Sequence, residues 1–186
     1  MENKTTTLND LITVFDELKK INPLLAINER EIKGSTFNVF TNAPKTFREL
    51  YDTVVLLMGD FPFVNENGNQ LNFLEIIQKS KNLANYLSSK GITKDDSVGI
   101  CMQNCTEWII AYIGITAHGA KCVPFNSWWT KDELSYGIPH SEVKLVFTDQ
   151  KRFEIIKDFK VDIVLNGKFF NETIEQHYDT WPEENA

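Results

Sequence analysis

The chain has 186 residues, 42% of them hydrophobic, and 26 acidic against 19 basic side chains give a formal net charge of −7. That length suffices to bury about 70% of the unfolded surface in one compact body, and the absence of any dense run of Lys or Arg excludes the electrostatic footprint of a nucleic-acid or polybasic membrane binder. The longest apolar run, Trp108 to Ala117, falls well short of a membrane span of roughly 20 residues, and Met1-Glu2-Asn3-Lys4 is too polar to open a secretory signal, so a globular cytoplasmic protein is expected.

Leu8, Leu11, Ile12, Phe15 and Leu18 fall at helical spacing and stop at Asn22-Pro23, where the pre-proline restriction ends helices. Asn22 to Lys45 show no sustained period and read as a mostly irregular connection. Phe47 to Met58 resume a helical pattern closed near Gly59. Short apolar runs at Phe61 to Val64 and Gln70 to Phe73 flank Asn67-Gly68, whose positive φ angles suit a tight antiparallel hairpin. Phe73, Ile76, Ile77, Ser80, Leu83, Ala84 and Leu87 then form one face of a helix ending at Gly91.

From there strand and helix alternate. Ser97 to Met102 predicts a buried strand, and Asn104 with Glu107 three residues later predicts a capping box opening a helix to His118, closed by Gly119. Ala120 to Phe125 is a second strand, and Thr130 with Glu133 caps a short helix limited by Pro139. Val143 to Thr148, a helix from Gln150 to about Asp158, a strand at Val161 to Leu165 and a helix over Asn171 to Tyr178 complete the series. The fold class is therefore α/β: a mainly parallel sheet flanked by helices, with a small β-hairpin and an N-terminal helical extension. The all-round apolar character of Trp108 to Ile115 implies a helix covered on more than one side.

Chemistry is sparse. The loop Gln103-Asn104-Cys105-Thr106 has no glycine with which backbone can approach a pyrophosphate, so dinucleotide binding of the usual kind is excluded. Gly167-Lys168 lacks the earlier glycine (Asp162) and the hydroxyl (Phe169) of a P-loop and reads as a turn. Glu107 is better explained by capping than as a general base, and Asp95 and Asp96 by the turn before a strand. Cys101, Cys105 and Cys122 lie in or beside apolar segments, where free cysteine acts as a small hydrophobe, and with scattered His118, His140 and His177 they show no metal-site spacing. No catalytic residue and no metal ligand is assigned.

Several segments nevertheless follow one another in a meaningful order. Gly59-Asp60 precedes the hairpin, and Leu71-Asn72-Phe73-Leu74-Glu75-Ile76 is similar to an L-T-Y-x-E-L segment. Gly91-Ile92-Thr93-Lys94-Asp95-Asp96-Ser97-Val98 resembles G-V-x-K-G-D-R-V, departing at Asp95-Asp96, where the pattern has Gly-Asp, and at Ser97; these are turn positions. Gln103 to Trp108 resembles x-N-x-x-E-W, and Gly119-Ala120-Lys121-Cys122-Val123-Pro124-Phe125-Asn126 looks like G-A-x-x-V-P-L-N. Trp128 to Gly137 resembles a W-W-T-x-x-E-L-x-Y-G variant. Each is weak singly, but their shared order from Pro44 to Phe153 resembles the adenylate-forming superfamily and, within it, the AMP-dependent fatty-acyl-CoA synthetases.

The resemblance implies an N-terminal extension over 1–43 and, over 44–186, the N-terminal subdomain of an AMP-binding domain. It implies an intact enzyme that activates a fatty acid or other carboxylate with ATP and magnesium and transfers the acyl group to CoA. The family's glycine-rich phosphate loop, similar to T-S-G-T-T-G-x-P-K, would be expected soon after Trp181 to Ala186, so this stretch by itself is expected to bind none of these cofactors and to be inactive. By the same resemblance Asn126, Ser127, Trp128 and Trp129 lie near the CoA entrance. The plainer reading of the two tryptophans is that they cover the sheet edge and dock neighbouring subdomains, given the large burial energies of aromatic rings. An alternative is an interaction module that pairs with a separate chain carrying the catalytic half. A third is an independent small-molecule-binding domain, which no convergent polar cluster supports.

Overall fold

The computed structural model describes residues 7–183. The chain divides into two units, Met1–Lys45 and Thr46–Ala186. In the first, α1 (Leu8–Ile21) begins with a capping box between Thr7 and Asp10 and ends at Asn22, ahead of Pro23. After a 3-10 turn (Pro23–Leu25), β1 (Ile27–Ile32) and β2 (Ser35–Phe40) pair antiparallel in unbroken register. This hairpin corrects the expectation of irregular chain over Asn22 to Lys45. Its residues are almost all exposed on both faces, so no apolar alternation marks them. The order comes from backbone pairing around Lys33-Gly34, both at positive φ (50° and 81°), as a two-residue hairpin turn requires.

In the second unit α2 (Phe47–Met58) is capped by the Thr46 hydroxyl and leads into β3 (Pro62–Glu66) and β4 (Asn69–Asn72), joined by Asn67-Gly68 at φ 52° and 84°. Phe73, at the junction of the expected strand and helix, starts α3 (Phe73–Ser89), because Asn72 and Glu75 form a full capping box there. Four parallel strands follow: β5 (Ser97–Cys101), β6 (Lys121–Pro124), β7 (Val143–Thr148) and β8 (Asp162–Leu165), in spatial order β6-β5-β7-β8. Between them run α4 (Thr106–His118), α5 (Lys131–His140) and α6 (Gln150–Ile156), and α7 (Lys168–Ile174) follows β8.

Side chains alternate across this sheet, as the two-residue period of a strand demands. Val98, Ile100, Leu145, Phe147 and Val164 join α3, α4 and α7 in the larger core; Cys101, Val146, Leu134, Ile138 and Ile156 form the smaller one against α5 and α6. Helix α4 is covered on several sides, as its composition implied: Ile110, Ala111, Ile113, Ile115 and Ala117 are all buried. Gly114 lets α3 press against it, since a Cβ there would stand 2.6 Å from the Leu83 side chain and 3.0 Å from the Ser80 carbonyl.

Two expectations fail at helix ends. Asn104 and Glu107 form no capping box at α4: the N-cap is Cys105, which has no side-chain cap bond. The Thr106 N–H and hydroxyl donate instead to Glu66 on β3, at 3.0 and 2.6 Å. A carboxylate imported from another element thus satisfies the helix terminus, where the dipole favours negative charge. The last helix ends at Ile174 and not at Tyr178, and it begins at Lys168, so that the turn expected at Gly167-Lys168 holds at Gly167, which is also the N-cap, while Lys168 is already helical.

Beyond Ile174 the chain runs as a strap along α3. Gln78, Asn82 and Asn85, spaced on one helix face, donate to the carbonyls of Tyr178, Ile174 and Thr180 at 2.7, 2.6 and 3.1 Å, and Asn82 also accepts from the Tyr178 N–H. Lys79 pairs with Glu175. Trp181 donates to Asp52 and packs on Tyr51, beneath the Lys81 ammonium. Extended main chain here finds its hydrogen bonds in side-chain amides where a helix would find them in itself.

Candidate functional site

The strand order places the site. From β5 the chain moves to β6 on one side, then to β7 on the other, and α4 and α6 lie on opposite faces. The segments leaving β5 and β7 therefore part, opening a crevice at the carboxyl ends, where ligands of open α/β sheets bind. Three loops meet there: Met102 to Cys105 after β5, Phe125 to Thr130 after β6, and Asp149 after β7.

One ion pair holds them together. Asp149 caps α6, accepting from the Arg152 N–H at 2.9 Å through one oxygen, while the other accepts from the Gln103 N–H at 2.9 Å and from Arg152 Nη1 at 3.0 Å. Arg152, only 7% exposed, donates through Nε and Nη2 to the Ser127 carbonyl at 3.0 and 2.8 Å. The planar fork of arginine fits two partners at once. Next to it the Thr148 hydroxyl donates to the Cys101 carbonyl at 2.8 Å. All three loops are thus fixed through Asp149 and Arg152, which sequence reasoning missed. The only signal was an Asp directly after a strand with an Arg three residues on.

The four residues expected near CoA sit on the β6 loop that this pair secures. Ser127 is bound to Arg152 through its carbonyl. Asn126 accepts from the Trp128 N–H at 2.9 Å through its side chain and from the Trp129 N–H at 3.0 Å through its carbonyl. The tryptophans then diverge. Trp129 packs tilted on Phe125 at 6.2 Å and fills the space over Gly137, where a Cβ would meet its ring at 2.7 Å. Trp128 is 85% exposed.

The three thiols are poor nucleophiles. Burial pushes the Cys101 thiol up to about 11 and those of Cys105 and Cys122 up to about 12, so all three stay protonated near neutral pH. Among the described residues no group of His, Cys, Asp or Glu is arranged to hold a metal ion, and no helix is long and apolar enough to cross a membrane. What the carboxyl end supplies is a set of loops tied together by hydrogen bonds and the exposed ring of Trp128.

The family model described as "AMP-binding enzyme" matches residues 45–185. The chain belongs to the AMP-binding enzyme family. Within this family it is 30% identical over 139 residues to a linear gramicidin synthase polypeptide of Brevibacillus parabrevis, an alignment covering 72% of this chain and 2% of that protein. It is 27% identical over 104 residues to a long-chain-fatty-acid–CoA ligase of Bacillus subtilis (strain 168), covering 56% and 19%. The fold matches that of a Mycobacterium tuberculosis fatty acyl CoA synthetase with a TM-score of 0.69 at 18% identity, over 76% of this chain and 30% of that one. The chain thus spans under a fifth of each of these two curated relatives and under a third of that synthetase.

Proposed function

We propose that this chain supplies the amino-terminal scaffold of an ATP-dependent acyl-CoA synthetase, whose intact form joins a fatty acid to the α-phosphate of ATP, releases pyrophosphate, and passes the acyl group from AMP to the thiol of CoA. The observation that carries this reading is the match to the AMP-binding family over residues 45–185, on a sheet whose carboxyl-end loops are prearranged around one buried ion pair. Asn126, Ser127, Trp128 and Trp129 stand on the CoA side of that arrangement. The loops after β5, β6 and β7 contain no glycine, so a cradle of backbone amides for triphosphate and magnesium comes from polypeptide outside this stretch.

The test is ATP–pyrophosphate exchange with dodecanoate. The 186-residue chain stays at background, and ATP leaves its melting temperature unchanged, because a ligand stabilises only the folded form it binds. Clear exchange by the chain alone overturns the proposal. The alternative, in which a separate chain supplies the catalytic half, draws support from Leu56, Leu57 and Phe61, exposed apolar side chains at the end of α2 and just beyond it. The nucleotide sequence past the Ala186 codon separates the two: an in-frame continuation favours one polypeptide, a distinct downstream gene the other.

A further inference from the structure

We infer that the open edge of β6 seats an extended polypeptide segment from the rest of the AMP-binding domain, running parallel to β6 and bringing a carboxylate to His118. The identity of that segment rests on the synthetase reading above; the seat itself rests on four observations.

The first is the edge. Among the described residues β6 pairs only with β5, and the Lys121 and Phe125 N–H groups donate inward to the Asp96 and Ile100 carbonyls. The alternation of a parallel ladder therefore turns 121, 123 and 125 toward β5 and 122 and 124 outward. Pro124 is tolerated because its missing N–H belongs to the outward side. The outer edge offers the Cys122 N–H and carbonyl and the Pro124 carbonyl, a pattern an added strand completes.

The second is the space. A groove of about 730 Å³ runs along this edge, lined by Phe47 and Arg48 of α2, Tyr112 and Thr116 of α4, and Cys122 and Pro124 of β6. A small amphipathic ligand would satisfy its apolar wall but leave the strand's backbone groups unpaired.

The third is the charge. His118 also lines the groove and is 8% exposed; the Ile92 carbonyl and Asp96 stand near it, but among the described residues neither ring nitrogen has a partner in hydrogen-bond geometry. Such a group costs free energy until something pairs with it. Arg48, Lys94 and Lys121 stand in the same lining, against a single acid, Glu183. A carboxylate is the complement that meets both the cations and the imidazole.

The fourth is the direction. Arg48 donates to the Ala117 and His118 carbonyls at the end of α4 and, through Nη1, to the Pro182 carbonyl at 2.8 Å. The strap is thereby pinned beside the amino end of β6, with Glu183 in the groove's wall. A segment that enters beside Pro182 and follows the edge toward Pro124 would run parallel to β6 and reach the carboxyl end of the sheet.

The test appends an eight-residue tail of alternating Val and Thr with one central Glu after Ala186, where tethering raises the tail's effective concentration. Control tails replace the Glu by Lys or the central Thr by Pro. Hydrogen–deuterium exchange at the Cys122 amide is expected to slow at least tenfold with the Glu tail only, independently of protein concentration, with a matching shift of the His118 ring resonances. Equal exchange for all tails overturns the inference. So does protection of the untailed chain that grows with concentration, which assigns the edge to a second copy, or an equal His118 shift with free dodecanoate, which assigns the groove to a small amphipathic anion. No synthetase activity enters this readout, so the seat and the synthetase reading fail separately.

Discussion

At the amino end of α4, beside the crevice, Thr106, Thr148, Asp149 and Arg152 all find partners; at its carboxyl end, beside β6, Arg48 satisfies the last carbonyls, but among the described residues the buried His118 ring nitrogens find no hydrogen bond. One helix thus joins a region finished by this chain's own residues to a region that awaits a partner. The difference teaches where the scaffold is self-sufficient. The crevice loops are joined by the Asp149 and Arg152 bonds, whereas the β6 edge carries a buried imidazole outside hydrogen-bond geometry, which the proposed strand's carboxylate would engage.

The largest expected effect breaks the finished end. Arg152→Ala strands the Asp149 carboxylate in a largely buried site and frees the Ser127 carbonyl, and it should cost about 3–5 kcal/mol in urea unfolding, the range for breaking a buried pair by removing one partner. A loss under about 1 kcal/mol would mean that the loops do not depend on this pair.

The unfinished end should respond with the opposite sign. His118→Leu removes an unpartnered buried polar group and is expected to stabilise the chain by about 1 kcal/mol near pH 8. Burial, then the nearby Arg48 charge, lowers the His118 pKa; Asp96 and the Ile92 carbonyl oppose this more weakly. The unfolded chain therefore takes up the proton first, near 6.5. The histidine's contribution is constant above that value and turns unfavourable as pH falls toward the lowered folded value. The advantage of the Leu variant should widen between pH 7 and 5, and a gap that narrows would refute the assignment.

Glu66→Ala sharpens the comparison at α4's amino end, removing the imported cap for about 1 kcal/mol. The Thr106 hydroxyl and then its N–H hold the Glu66 carboxyl below its ordinary 4.5. That stabilisation is present above 4.5 and fades as pH falls through the lowered folded value, so wild type and variant should converge in acid. The smallest effect is expected of Trp128→Ala, within about 0.5 kcal/mol because the ring is exposed. On the proposed synthetase reading, the same change in the full-length enzyme should slow acyl transfer to CoA more than ATP–pyrophosphate exchange, and an equal loss in both would refute the proposed place of Trp128 on the CoA side.

Much of the fold was legible because its signals are local. The Asn67-Gly68 turn, the α3 stripe ending at Gly91, and the Thr130 and Glu133 box each lie within a few residues of what they control. The β1 and β2 hairpin escaped because two exposed faces leave no period, and Asn104 with Glu107 misled because a good local cap lost to Glu66. Of the site, the β6 loop was legible through its motif, whereas the Asp149 and Arg152 pair was not. A buried arginine looks like a surface one until its partners are known.

The sequence by itself determined the alternating strands and helices, most of their ends, and kinship with adenylate-forming enzymes, since these follow from side-chain period, turn chemistry and ordered short motifs. Tertiary structure alone decided which distant groups satisfy one another: Glu66 reaches Thr106 across 40 residues, and Arg48 reaches Pro182 across 134. Burial makes those pairings energetically decisive, because a polar group out of water must find its partner in space, wherever along the chain that partner lies.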